Sequence, residues 1–311
     1  MNVRNTVHRT GPFLARVSST LGVVDSVTSS VTFGVIYFLT PMLEPMSGEA
    51  VWGVRALMTL PFVTAVILIS REWYLVREIA YRVKKKPVLL LGIAAASVLI
   101  TAQLWVFSWA PLNGRAMQVA LGYFLLPLVL VVVGRLLYRD RMTWWQWIAA
   151  GVALVGVLYE LLRVGGVSWE TLLVALGYPI YFVLRRSMGM GHIGGMWWEF
   201  MGMAPFAVVV TVVAFADGSL LAANSTLWWS APGIALLAAF ALLMYLMASR
   251  LLSMSLFGLL SYLEPAMLMV ASLLIGESIA RTEWFTYGAI WLAVLILIVG
   301  GVAEVVQRRT R

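Results

Sequence analysis

A carboxyl group stands near the middle of a long apolar segment, where an ionisable side chain is costly in a membrane and is therefore a functional candidate. This residue is Glu264, which follows Tyr262 and directly precedes Pro265. At such a depth it is a candidate proton carrier or cation ligand. The alternative is a structural hydrogen bond to backbone groups that Pro265 leaves unpaired. We select Glu264 as the proton-coupling candidate and Tyr262 as its neighbour in a substrate cavity.

Two arginines in other apolar segments are candidates for binding an anion. Arg55 lies almost two turns inside the second apolar segment of the chain. Arg115 begins the fourth apolar segment, and Gln118 follows it by one turn. A guanidinium matches a carboxylate through two parallel hydrogen bonds, so this pattern favours a substrate carboxylate. The alternatives are a structural ion pair of Arg55 with Glu49 or Glu264, and extension of the Arg115 side chain to the surface.

The remaining cavity candidates are polar or aromatic side chains inside apolar segments. Asp25 shares a helical face with Thr28, Ser29 and Thr32, which favours a hydrated path, although Asp25 is also close enough to a segment end for ordinary hydration. Aromatic residues in membrane proteins often form belts at the interfaces, which is the alternative for several of the others. These other candidates are Gln103, Trp105, Tyr123, Tyr181 and Tyr245.

The sequence offers no arrangement for catalysis, for a metal or for a cofactor. Cysteine is absent, and the two histidines, His8 and His192, cannot form a ligand pair at zinc-site spacing. The G-x-S-x-G and H-E-x-x-H motifs and the Gly-Lys-Ser/Thr of a phosphate-binding loop are also missing. We therefore expect no catalytic residues, no enzyme activity, no cofactor and no direct use of ATP.

The composition indicates a membrane protein made of helices. Hydrophobic residues make up 62% of the chain and charged residues 12%, against about 25% charged in soluble domains. Because about 20 apolar residues cross a membrane as a helix, the sequence predicts ten spans, numbered here in chain order. They are 17–39, 49–69, 87–109, 113–134, 144–162, 170–187, 196–216, 229–249, 254–275 and 284–304.

The basic residues predict the orientation of these spans. Eighteen of the 22 Lys and Arg residues fall in segments on one side, three fall on the other, and Arg55 lies within a span. Loops that remain in the cytoplasm carry the excess of Lys and Arg, so both the N-tail (1–16) and the C-tail (305–311) are expected there. The net charge of +8 is thus a topology signal, and we expect no nucleic-acid partner.

An internal repeat divides the membrane region into two halves. The series Pro127, Asp140, Trp147, Gly151 returns as Pro265, Glu277, Trp284, Gly288, in step from the acid onward at an offset of 137 residues. The predicted halves are 17–162 and 163–304, with five spans each. Five is an odd number, so the second half inserts upside down, as in many secondary transporters. Asp140 and Glu277 fall at the membrane surfaces and mark turns.

These motifs resemble the RarD-like branch of the drug/metabolite transporter superfamily, whose members carry EamA domains. The similar parts are 120–127, Asp140-Arg141 and Gln146-Trp147 in the first half, and 258–265, Gly276-Glu277 and 287–293 in the second. The resemblance implies an all-α membrane protein with ten transmembrane helices as two inverted five-helix EamA repeats. It also implies a bacterial inner-membrane carrier with both termini cytoplasmic.

The predicted function is gradient-driven or facilitative transport of small organic solutes such as amino acids, metabolites or drugs, by alternating access and in the direction of export. The expected partners are this small-molecule substrate, membrane lipids and protons as a candidate coupling ion. A monomer and a dimer both fit the sequence. A flippase for lipids or lipid-linked precursors is the alternative function, and an intramembrane enzyme is the remote one.

Overall fold

A computed structural model gives an all-helical architecture. It describes residues 12–110, 113, 115–275 and 281–309, and gives only the backbone for 12–18, 116–117, 272, 275 and 301–309. The α-helices are α1 Pro12–Leu39, α2 Gly48–Ile69, α3 Trp73–Lys85, α4 Val88–Trp109, α5 Ala116–Leu137, α6 Trp144–Val164, α7 Trp169–Ser187, α8 Ile193–Phe215, α9 Ser219–Ala223, α10 Leu227–Leu251, α11 Met254–Leu260, α12 Leu263–Ile275 and α13 Trp284–Arg309.

The predicted spans coincide closely with these helices, apart from the ends of a few segments. Within the described residues, eight stretches are long and apolar enough to cross a membrane, and Trp284–Gly300 in α13 is a shorter apolar stretch. Helix α7 is not among these eight stretches, because its 19 residues include three charged residues, Glu170, Arg185 and Arg186. The protein is thus an all-α chain with multiple membrane-crossing helices.

Two elements differ from simple spans. The segment between spans 2 and 3 contains α3, an amphipathic helix that buries Val76 and Ile79 and ends in basic residues. Span 9 is divided into α11 and α12, with the break at Ser261 and Tyr262. Hydropathy shows neither feature clearly, because α3 is short and polar on one face, and because the break retains an apolar composition around it.

Side-chain caps begin several helices where the sequence turns polar. Ser47, Ser168 and Ser253 each accept a hydrogen bond from a backbone N–H in the first turn of the helix that follows. Thr143 forms a capping box with Gln146 at the start of α6. These bonds satisfy amide groups that a helix cannot pair internally, and they place the ends of the membrane helices.

The long helices pack in pairs that join the two halves of the chain. Helix α1 packs on α10 and α12, α2 on α8 and α10, α4 on α7 and α8, α5 on α7 and α11, and α6 on α13. If each span is exchanged for its counterpart five spans away, this list of pairs remains the same. The main helix pairs therefore join the first part of the chain, up to α6, to the part from α7 onward.

Contacts at the helix ends join residues that the charge distribution assigns to one side of the membrane. On the basic side, Arg82 donates to the carbonyl of Met188, and Arg186 donates to the carbonyl of Leu252 at 3.0 Å. The opposite ends of the helices are joined by two ion pairs, Arg163 with Glu283 and Arg115 with Glu170. Glu170 and Arg186 lie at opposite ends of α7, so one contact of each group marks an end of this helix.

Candidate functional site

A cluster of two charged and four aromatic side chains lies where six long helices meet. We call it the central cluster: Arg55 of α2, Phe107 of α4, Tyr123 of α5, Tyr178 of α7, Tyr245 of α10 and Glu264 of α12. The rings form a chain of neighbours, with centroid distances of 5.8 Å for Phe107 and Tyr123, 6.3 Å for Tyr123 and Tyr178, and 6.2 Å for Tyr178 and Tyr245. Both halves of the chain contribute.

Arg55 and Glu264 interact across this cluster without a direct ion pair. Each side chain acts electrostatically on the other. Among the described residues, however, no ion pair within 4.0 Å involves either of them. The guanidinium carbon of Arg55 lies 5.6 Å from the centroid of Phe107, so an aromatic ring covers one side of the cation.

A small void adjoins Arg55 in this conformation. It measures about 10 Å³, which is roughly the room that one water molecule needs. Beside this void lie the indole of Trp52, a buried donor without a described acceptor, and the guanidinium of Arg55, which forms no ion pair among the described residues. The other residues that line the void are Ala56, Thr59, Leu104, Ser108, Ala238 and Leu242.

The break in span 9 positions Glu264. The hydroxyl of Ser261 donates to the carbonyl of Phe257 at 2.9 Å, and the hydroxyl of Tyr262 donates to the carbonyl of Phe124 in α5 at 3.1 Å. Glu264 follows in the first turn of α12, where Pro265 needs no N–H partner. Helix α11 therefore ends, and α12 begins, within about one turn before Glu264. The hydrogen bond from Tyr262 to α5 fixes the position of this break.

Close packing of α11 on α5 supports the same junction. A Cβ atom at Gly258 would lie 2.7 Å from the Cβ of Leu130 and 2.9 Å from the carbonyl oxygen of Pro127. Only glycine permits this approach, in the manner of the small-residue contacts of membrane helices. Pro127 and Gly258 both belong to the motifs that carry the family resemblance, and here they have a packing role.

Tyr181 contributes to a different, buried polar cluster between α7 and α8. Its hydroxyl donates to Glu199 at 2.9 Å, and the other carboxylate oxygen of Glu199 lies 3.0 Å from Nε of Arg185. Arg185 also donates to the carbonyls of Met190 and His192. All the charged atoms of this group are deeply buried, and the arrangement joins two helices and their connection. Its geometry is that of a structural ion pair.

His192 borders that ion pair in the connection between α7 and α8. Burial lowers its pKa to about 4, and the nearby positive charges of Arg250, Arg185 and Arg82 act in the same direction. The imidazole is consequently neutral near pH 7. Its uncharged state fits a structural position among arginines.

Arg115 and Gln118 lie away from the central cluster, at the opposite end of the helices from His192. Nε of Arg115 lies 2.7 Å from the carboxylate of Glu170, whose side chain is fully buried. The carbonyl of Gln118 accepts a hydrogen bond from Thr171 at 2.7 Å. The cation of Arg115 therefore has an ion-pair partner, whereas no described residue forms an ion pair with Arg55.

The other predicted cavity residues occupy helix contacts or edges. Gln103 donates to the carbonyl of Leu173 at 2.7 Å, between α4 and α7. Trp105 stacks on Trp109 at 5.2 Å. Asp25 is half-buried in α1, and no hydrogen bond or ion pair to its carboxylate occurs among the described residues.

Of the predicted residues, the structure brings together Arg55, Tyr123, Tyr245 and Glu264, with Tyr262 behind them at the span 9 break. Reasoning from the sequence missed Tyr178 and Phe107, as well as the partner that Glu199 finds in Arg185. Tyr178 directly precedes Pro179 inside span 6, a signal that was available. No signal in the sequence marked Phe107, because phenylalanine is common in apolar spans.

Similar proteins are known from several bacteria. The chloramphenicol-sensitive protein RarD of Pseudomonas aeruginosa is 37% identical over 88% of this chain and 92% of its own length. An uncharacterized transporter of Pasteurella multocida is 33% identical over 92% and 98% of the two chains, and one of Haemophilus influenzae is 31% identical over 92% and 96%. No protein-family model matches the chain.

A solved crystal structure shows the fold. It aligns with 94% of this chain and 99% of its own, at a TM-score of 0.59 and 16% sequence identity. The relatives and the apolar helices together identify a multi-pass membrane protein of a transporter kind. With a relative of 37% identity across most of both chains, this protein belongs to the RarD-like family of the drug/metabolite transporter superfamily.

Proposed function

We propose that this protein is a secondary transporter that moves a small organic solute across the bacterial inner membrane by alternating access. The observation that carries the proposal is the central cluster, in which Arg55 and Glu264 accompany four aromatic rings and form no ion pair among the described residues. Intramembrane ionisable groups without a structural partner mark substrate or ion pathways. Export is the direction that the family resemblance favours.

The architecture we propose is ten membrane helices arranged as two inverted five-helix repeats, 17–162 and 163–304. Two observations support it. The main helix pairs between the halves are the same when the two halves are exchanged, and both halves contribute residues to the central cluster. In transporters of this type the substrate binds at such an interface while the halves move relative to each other.

We further propose that both termini face the cytoplasm. The excess of Lys and Arg on one side supports this orientation. The contacts at the helix ends support the same sidedness, because Arg82 and Arg186 cap helix ends on the basic side, whereas Arg115 and Arg163 form ion pairs on the other.

Glu264 is the proposed site of proton coupling. Its carboxyl group lies among Arg55, Tyr123, Tyr178 and Tyr245, all of which respond to its charge. Arg115, which has Glu170 as a partner, is less suited to a role in the transport cycle. A gradient supplies about 2.3 kcal/mol per charge per 100 mV, enough to drive accumulation if one proton moves per cycle.

The test is transport in proteoliposomes. Purified full-length protein is reconstituted into vesicles loaded with a small-molecule extract of bacteria, and the released compounds are compared with those from protein-free vesicles by mass spectrometry. Release of specific water-soluble compounds supports the proposal. Transfer of fluorescent lipids between leaflets without such release would instead indicate a flippase, and no release and no lipid transfer would overturn transport altogether.

A further inference from the structure

We propose that the transported solute is a zwitterion with an apolar body, whose carboxylate binds Arg55 and whose ammonium binds Glu264. This inference deepens the proposed function and rests on it, because it assigns a chemical class of substrate to the central cluster. It follows from two opposite charges in the central cluster, Arg55 and Glu264, which interact electrostatically but form no ion pair among the described residues.

The anion end of the site is the guanidinium of Arg55 with the indole of Trp52 beside it. Among the described residues the guanidinium forms no ion pair, and the buried indole N–H of Trp52 lacks an acceptor. Phe107 covers one face of the guanidinium, which leaves its N–H edge for a planar group. A carboxylate fits this edge, since it accepts two parallel hydrogen bonds from an arginine.

The cation end of the site is Glu264, which is buried in the first turn of α12. It interacts electrostatically with Tyr123, Tyr178 and Tyr245. An ammonium group would gain a salt bridge to the carboxylate and favourable contact with the faces of the rings. The tyrosines are held by their own contacts, including the 6.5 Å edge contact of Tyr245 with Phe33 of α1, so the cage is present before a ligand binds.

The two ends favour a ligand with both charges over a ligand with one. Binding of an anion alone would compensate Arg55 and leave Glu264 as an uncompensated buried carboxylate, and binding of a cation alone would do the reverse. An unpaired charge in a water-poor site is costly. A zwitterion compensates both charges at once and keeps the site neutral, which also lowers the cost of carrying it through the membrane centre.

The space beside Arg55 sets further requirements on the ligand. The void there measures about 10 Å³, roughly the room of one water molecule, so the helices must separate when a ligand enters. The walls of this void are mostly apolar and include Leu104, Ala238 and Leu242. They favour an apolar body next to the carboxylate and disfavour a sugar or a further charged group.

Thermal unfolding of the purified full-length protein in detergent tests this proposal with matched ligands. The probes are L-phenylalanine, 2-phenylethylamine and 3-phenylpropanoate, together with L-leucine, 3-methylbutylamine and 4-methylpentanoate. Each set shares one apolar body and differs only in charge. We expect at least one of the two zwitterions to raise the unfolding temperature, with an apparent affinity at least tenfold above those of the amine and the acid that share its body.

Variants assign each charge to its residue. Arg55→Gln should abolish the advantage of the zwitterion over the amine, and Glu264→Gln should abolish its advantage over the acid. The matched controls are Arg77→Gln and Glu78→Gln, neighbouring exposed residues of α3, which should leave both advantages intact. Equal binding of zwitterion and singly charged probes, an unchanged preference in both site variants, or no binding by any of the six probes would overturn the proposal.

Release from the loaded proteoliposomes distinguishes the proposed substrate class from the proposed transport function. Release of zwitterionic compounds supports both proposals. Release of only anions, only cations or only uncharged solutes overturns the substrate class and leaves the proposed transport in place. Absence of any release overturns the proposed function.

Discussion

The hydroxyl of Tyr262 donates a hydrogen bond to the carbonyl of Phe124 over 3.1 Å, and these two residues are 138 positions apart in the chain. Pro127 and Pro265 of the internal repeat have the same separation. The bond therefore joins two equivalent positions of the two halves, next to the break in span 9. It places the start of α12, and with it Glu264, against the middle of α5.

Removal of this hydroxyl should loosen the junction. Tyr262→Phe leaves the ring in place but deprives the Phe124 carbonyl of a buried donor, which costs about 1–3 kcal/mol. We expect a lower unfolding temperature in detergent. Tyr74→Phe, at an exposed position of α3, is the control and should have almost no effect. Equal unfolding temperatures for wild type and Tyr262→Phe would show that the bond contributes nothing to stability.

The buried ion pair of Arg185 with Glu199 should be sensitive to the loss of one partner. Glu199→Gln leaves the cation of Arg185 without its counter-charge and weakens the bond from Tyr181, so we expect destabilisation on the order of 3–5 kcal/mol. Chemical or thermal unfolding measures it, with Glu78→Gln as the exposed control.

A double variant separates the ion pair from general damage to this region. Replacement of both charges, as Arg185→Met with Glu199→Leu, should cost less than the sum of the two single replacements, because no unpaired charge remains. Additive single and double effects would show that the two residues act independently.

The glycine contact between α11 and α5 should tolerate no side chain. Gly258→Leu would place its Cβ against Leu130 and the Pro127 carbonyl, and neither can move without a shift of a whole helix. We expect a strong fall in the yield of folded protein after membrane extraction, measured by size-exclusion chromatography. Gly288→Leu is the matched control, because nothing lies within 4 Å of a Cβ at that position; equal loss in both variants would contradict the packing role.

Glu264→Gln should abolish the pH dependence of transport if this residue carries the proton. The groups that face it are Arg55, Tyr123, Tyr178 and Tyr245, and none of them titrates between pH 5 and 8 in its ordinary range. Flux in vesicles at several pH values, with and without a proton gradient, measures the effect. Retained pH dependence in the variant, with Glu78→Gln equal to wild type, would remove Glu264 from that role.

Acid should weaken the connection between α7 and α8 through His192. The pKa of His192 is lowered from 6.5 to about 4 by burial and by the nearby arginines, so the native state disfavours protonation. The associated stability is complete above about pH 6.5 and is lost as the pH falls toward about 4. Unfolding temperatures at pH 7.5 and pH 5 should differ less in His192→Asn than in wild type; an equal difference would exclude this contribution.

The sequence predicted the helices well and the partners of buried polar groups poorly. Length and hydropathy were sufficient to place the membrane segments, since a helix must satisfy its own backbone in lipid whatever it packs against. They were not sufficient to place α3, which is short and half polar, or the break at Ser261 and Tyr262.

The candidate site was predicted in part for a related reason. Arg55 and Glu264 stood out because charge is rare at that depth, and the structure brings both into the central cluster. Which face of a helix meets which neighbour depends on packing between distant segments. The pairing of Arg115 with Glu170, and the inclusion of Tyr178 and Phe107 in the cluster, could therefore be seen only in three dimensions.

The main helix pairs between the two proposed halves, which are the same when the halves are exchanged, bear on how such a chain arose. An interface that remains the same when its two sides are swapped is isologous, the kind through which two identical subunits associate. Two separate five-helix proteins inserted in opposite senses would meet through these same contacts, as an antiparallel homodimer. Fusion into one polypeptide allows the copies to diverge. Leu126 and Glu264 occupy matched positions before the two prolines, so a single copy carries the acid, and a symmetric ancestor would have carried either two or none.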